Sequence, residues 1–188
     1  MEHCMLDLET LGTGGNTVIV SIGAVMFDRT GTGERFHVLV DIDSCLAKGL
    51  RVTGGTITWW MQQDHAAQSE ITRSDRVSLE TALDMFTSFF KHNGGKCLWG
   101  NDPSFDNAIL ADAYAACGKR APWYYSNNRC LRTLKALMLA MCAPVDGIVF
   151  ESEHIGSVKH TADGDAASEA YVASELLARL PIGACDAR

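Results

Sequence analysis

Long hydrophobic runs are missing from this chain. The longest, Ala136 to Val145, covers ten residues and contains Pro144. A membrane-spanning helix needs about 20 apolar residues, so no span is expected. The start carries no basic segment leading into an apolar stretch and a small-residue cleavage site, so secretion is not expected either. The seven cysteines are an odd number, and no two of them have the C-x-x-C spacing of zinc or redox motifs. Cys97 before Leu98-Trp99 and Cys142 after Leu139-Ala140-Met141 lie in apolar surroundings. That suits small core hydrophobes in a reducing cytoplasm. Positive charge is scarce too. The net charge of −7 argues against a protein that coats nucleic acid non-specifically, because such affinity comes from Lys and Arg neutralising phosphates. Repeats, low-complexity tracts and linkers are also absent.

What remains is an ordinary globular composition, 47% hydrophobic and 21% charged in 188 residues. A chain of this size buries roughly 70% of its unfolded surface as one domain. The domain is taken as residues 1–180, with 181–188 as a C-terminal tail. Val18 to Phe27 is nearly all apolar or β-branched and predicts a buried strand. Gly31-Thr32-Gly33 predicts the turn of a hairpin, and the alternating stretch Glu34 to Val40 its second strand. Glu2 to Leu8 predicts a third strand beside them. From Ser78 the period becomes helical, with Leu79, Ala82, Leu83, Phe86, Phe89 and Phe90 on one stripe that ends at Gly94-Gly95. A short strand over Lys96 to Gly100 follows. Helices are then expected at about Phe105 to Cys117, Leu131 to Cys142 and Asp163 to Leu180. This order predicts an α/β domain with a mixed sheet.

Acidic residues supply the chemistry. Asp7 and Glu9 stand two apart on a predicted strand, so both leave the same face of the sheet. Such a pair can hold one cation, though alone it carries little weight. Asp106 falls in the first turn of a helix that follows a strand. It reads either as a helix-dipole acid or as a ligand at the strand end, where open α/β sheets bind. His160-Thr161-Ala162-Asp163-Gly164-Asp165 puts an imidazole just before the last helix and a carboxylate in its first turn. Asp163 is expected to cap that helix. Gathering Asp7, Glu9, Asp106 and Asp165 at one point would cost several kcal/mol, at about 4 kcal/mol per unit-charge pair 4 Å apart and an effective dielectric of 20. Cations between them would remove that cost.

Together, Asp7-Leu8-Glu9-Thr10, Ser104-Phe105-Asp106 and His160-Thr161-Ala162-Asp163-Gly164-Asp165 resemble the three motifs of the DEDDh branch of the DnaQ-like 3′–5′ exonucleases. Trp59-Trp60 and Arg129-Cys130-Leu131-Arg132-Thr133-Leu134 are similar to the exoribonuclease T-like, exodeoxyribonuclease-VIII-like group of phages and bacteria. The resemblance implies a ribonuclease H-like fold and two Mg²⁺ or Mn²⁺ ions. It also implies release of 5′-mononucleotides from the 3′ ends of single-stranded DNA or RNA. Asp7, Glu9 and Asp165 would bind the first ion, Asp7 and Asp106 the second, and His160 would be the general base. One departure is that Asn101 lies five residues before Asp106, where relatives often have Asn four before; Asp102 takes that place here.

Weaker signals surround these motifs. Thr10-Leu11-Gly12 reads as a strand end with a glycine turn, or, by resemblance, as the floor under the terminal nucleotide beside Phe105. Neighbouring helix positions point about 100° apart, so one tryptophan, taken as Trp60, is the candidate to stack on a base. Arg129, Arg132 and Lys135 recur every third residue and read either as phosphate contacts or as a solvated helix face. Lys159 adjoins His160 and is a candidate phosphate contact. A homodimer is an expectation from resemblance alone. Two other function classes fit the same residues: a non-catalytic nucleic-acid-binding module, and a phosphohydrolase of mononucleotides or dinucleotides.

Overall fold

The computed structural model describes residues 1–141 and 161–180. His160, Lys159, Cys142 and the tail over 181–188 lie outside them. At the centre is a five-stranded sheet in the order β3-β2-β1-β4-β5. Its strands are β1 (His3–Thr10), β2 (Ile19–Asp28), β3 (Gly31–Leu39), β4 (Cys97–Gly100) and β5 (Asn128–Cys130). β1 pairs antiparallel with β2 and parallel with β4, so the sheet is mixed, as the order of elements predicts.

Alternation along the strands divides the core. Cys4, Leu6 and Leu8, with Ile22, Ala24 and Met26, face helices α4 (Leu79–His92) and α5 (Asp106–Ala116). Met5, Val25, Phe27 and Trp99 face α6 (Leu131–Ala140) and α7 (Ala162–Arg179). Asp7 and Glu9 share the parity of Met5, so they point toward α7. The Phe-rich stripe of α4 packs Leu83, Phe86 and Phe90 at or below 1% exposure. Ser78 caps that helix by accepting from the Thr81 N–H at 3.3 Å.

Four local expectations are corrected. The hairpin turn is Arg29-Thr30, closed by Asp28 Oδ1, which accepts from the Thr30 N–H at 2.8 Å and its hydroxyl at 2.5 Å. Gly31, at φ +147°, already begins β3. Thr161, and not Asp163, occupies the N-cap position of α7, and Asp163 lies inside its first turn. Arg129 belongs to β5, so it does not continue a helical face with Arg132 and Lys135. Three further helices, α1 (Ile42–Ala47), α2 (Gly54–Met61) and α3 (His65–Thr72), fill the connection between β3 and α4.

Two features bring the helices to the acidic strand. β1 and β4 pair only from His3–Met5 to Cys97–Trp99, so the later half of β1 has an open edge on that side. Gly23 sits opposite Asp7 in β2, and a Cβ there would lie 2.1 Å from the carbonyl carbon and oxygen of Ala162. Only a glycine lets the N-terminus of α7 rest this close to the sheet.

Candidate active site

At the carboxyl end of β1, Asp7, Glu9 and Asp165 each present a ligand atom, all within 4.8 Å of one another. Strand parity aims Asp7 and Glu9 at α7, and the close seat over Gly23 brings the first turn of α7 to meet them. Asp106 arrives from the open edge. It is the first residue of α5, is 5% exposed, and its Oδ1 accepts from the Leu8 N–H at 3.2 Å. That bond ties the helix to the strand residue between Asp7 and Glu9. A register irregularity between Glu9 and Thr10 re-aims the strand where the site ends.

Asp7, Glu9 and Asp106 hold their protons well beyond the usual carboxylate range. Burial, then the charges of Asp106, Glu169, Glu9 and Asp165, push Asp7 well up. Burial, followed by Asp165, Glu70 and Asp106, pushes Glu9 to about 8. Asp106 rises to about 7, again chiefly through burial, although the backbone N–H of Leu8 counters it. Such a set repels itself when ionised, and positive charge among the acids is what would relieve it.

A cavity of about 400 Å³ opens beside the cluster, lined by Leu8, Glu9, Thr10, Gly12, Trp59, Phe105 and neighbours from the start of α2. Of the residues singled out in sequence beside the acids, Thr10, Gly12 and Phe105 line this cavity. Leu11 does not: its side chain is 3% exposed within the apolar core. Trp60 borders the cavity but is itself 3% exposed, and its indole N–H donates to the Thr10 carbonyl at 2.9 Å. It forms a wall, and Trp59, whose ring meets that of Trp60 edge-on at 5.1 Å, is the more exposed of the two at 40%. Arg129 turns its guanidinium onto the carbonyls of Ser126 and Asn128 and acts on His3 at the other end of β1. Arg132 pairs with Asp102 at 3.2 Å. Asp102 also accepts from the Ser104 N–H and hydroxyl, which closes the turn before α5.

The structure adds residues that the motifs do not mark. Glu169, one turn after Asp165 on α7, is pushed up to about 8 by burial and by Asp106. Glu70 of α3 is 2% exposed and bonds His37 at 3.2 Å. It lies close enough to Glu9 to raise it. An acid four residues after Asp165 is visible in the helix pattern; nothing linear links Glu70 to Glu9.

Residues 2–177 match the family described as the Rv2179c-like 3′-5′ exoribonuclease domain. The chain belongs to this family. It is also 30% identical over 125 residues to the exodeoxyribonuclease of Enterobacteria phage T4, a match covering 60% of this chain and 55% of the phage protein. The chain thus spans about half the length of that relative. Among solved structures, E. coli exonuclease I in complex with a dT13 oligonucleotide aligns at TM-score 0.62 and 17% identity, over 93% of this chain and 40% of that one. The nuclease domain of 3′hExo, a DEDDh family member bound to rAMP, aligns at TM-score 0.60 and 13% identity, over 93% of this chain and 90% of that one. These likenesses give the family member a ribonuclease H-like fold of the DnaQ-like exonucleases. Among the described residues no helix is long and apolar enough to cross a membrane.

Proposed function

We propose that the protein is a divalent-cation-dependent exonuclease that removes nucleotides one at a time from the 3′ end of single-stranded nucleic acid, releasing 5′-mononucleotides. The observation that carries this is the meeting of Asp7, Glu9 and Asp165 within 4.8 Å of one another, with Glu9 also lining a cavity of about 400 Å³. Family membership and the oligonucleotide bound by exonuclease I support it. The donors fit the cofactor: all are carboxylate oxygens, hard ligands of the kind that suits Mg²⁺ or Mn²⁺. Asp7, Glu9 and Asp165 would hold one ion, and Asp7 with Asp106 a second. Such a pair, when bound, activates the attacking water and stabilises the leaving 3′-oxygen.

The chain's own residues do the rest. His160, adjoining Thr161 in sequence, takes the proton of the attacking water, a task an imidazole can perform near neutral pH. Thr10, Gly12 and Phe105 floor the terminal nucleotide, and Trp59 offers its exposed ring to a base. Lys159, next to His160 in sequence, and Arg132 of α6 would contact phosphate.

A 5′-labelled single strand, as matched DNA and RNA, tests this with Mg²⁺, with Mn²⁺ and with chelator. The expected result is a ladder that shortens from the 3′ end only when cation is present. No product at saturating cation would mark a binding module, and cleavage of dinucleotides alone a phosphohydrolase. His160→Ala should lower turnover by about 10²–10⁴-fold with little change in strand affinity. Equal rates would remove His160 from the reaction.

A further inference from the structure

The pair of cations has a claim on one more acid than the motifs supply. Glu169 follows Asp165 by four residues on α7, so the two carboxylates rise from the same face of the helix. Its Oε2 is shut off from solvent and accepts no hydrogen bond. A buried oxygen of this kind is costly to leave without a partner, so an otherwise well-packed helix retains it against its own stability. Its direction is readable from its neighbours. Asp7 feels Glu169 more strongly than it feels Glu9 or Asp165, the two residues that meet it within 4.8 Å. Asp106 in turn is the charge that acts most on Glu169. Asp7 and Asp106 are thus the acids with which Glu169 interacts, whereas Glu9 is raised by Asp165, Glu70 and Asp106.

A structural ion pair with α6 is the rival explanation. Lys135 and Arg132 of α6 do act on the Glu169 charge, yet neither donates to Oε2, and Arg132 is already bonded to Asp102.

We propose that Glu169 supplies a fifth carboxylate to the cation centre, offering Oε2 toward the ion that Asp7 and Asp106 share. This rests on the proposed function, since it presumes that the cluster takes up divalent cations. Direct titration of Mn²⁺ into the full chain, by calorimetry and by the loss of the free-ion spin-resonance signal, tests it without reference to activity. Glu169→Gln keeps the shape and removes the charge. The variant should bind one of two Mn²⁺ ions about 10- to 100-fold more weakly while its metal-free melting midpoint holds or rises. Lys135→Met serves as the control: it removes a positive charge beside the acid and so should not weaken Mn²⁺ binding. Wild-type Mn²⁺ binding that Glu169→Gln reproduces overturns the inference alone. So does a metal-free midpoint that drops equally in Glu169→Gln and Lys135→Met, which would make the pair structural. A wild-type chain that takes up no Mn²⁺ overturns the proposed function and this inference together.

Discussion

Carboxyl groups that share a buried pocket compete to stay neutral, and each one lost relieves the others. Asp7 is the most crowded of them, with four acids raising it beyond burial itself. Asp7→Asn should abolish cation-dependent cleavage yet leave the metal-free melting midpoint unchanged or higher by about 2–4 °C, the shift of roughly 1 kcal/mol in a chain of this size. Scanning calorimetry in chelator checks it, and a clear fall in midpoint would make Asp7 a structural residue. The tryptophans divide in the opposite way. Trp60→Phe strands the Thr10 carbonyl inside the protein and should cost about 1–3 kcal/mol of stability. Trp59→Ala should leave stability alone and raise KM for an oligonucleotide by the loss of one stacking contact, about 1–3 kcal/mol. Denaturant melts and steady-state kinetics on both variants separate the two roles; a KM effect at Trp60 without a stability effect would reverse them.

Elements place these side chains, and one contact sets the placement. Gly23 lets Ala162 lie against β2 opposite Asp7. Gly23→Ala forces a methyl group into a main chain 2.1 Å away, so α7 and Asp165 must lift. We expect a loss of about 1–3 kcal/mol and a drop in turnover, although no functional group changes. Wild-type turnover in this variant would show that the seat of α7 does not govern the site. The sequence discloses the long elements because their periods are strong: β2 is apolar throughout and α4 carries a clean stripe. It hides α1 and α3, whose six and eight residues, IDSCLA and HAAQSEIT, are too short for a helical period to stand out. Their asparate caps, Asp41 and Asp64, are the only local marks. Asp7, Glu9, Asp106 and Asp165 are legible because motif spacing fixes them within single elements. Glu70 is not, because α3 reaches Glu9 only through the fold. The settings of Leu11, Trp60 and Arg129 are hidden for a related reason: a residue's neighbours in sequence do not say which side of the strand or helix will face the cavity.

At the scale of the molecule, an acidic chain carries an acidic pocket, and protons and metal ions must compete for it. Glu9 and Asp106 hold their protons in the folded protein up to about 8 and about 7, far above the values of 4.5 and 3.8 expected when unfolded. Between those limits the folded state binds more protons than the unfolded state, so stability falls as pH rises. The contribution of these groups is fully present below their unfolded values and lost as pH climbs through their folded ones. The metal-free protein should therefore melt at progressively lower temperature from about pH 5 to about pH 8.5. Cations displace the same protons, so saturating Mg²⁺ should flatten that decline, and cation affinity should itself increase with pH. Melting curves across this range with and without Mg²⁺, and calorimetry in buffers of different ionisation enthalpy, measure both halves. A metal-free midpoint that climbs through the window, or cation uptake without proton release near pH 7, would mean that these acids are already ionised and held apart by something other than a metal.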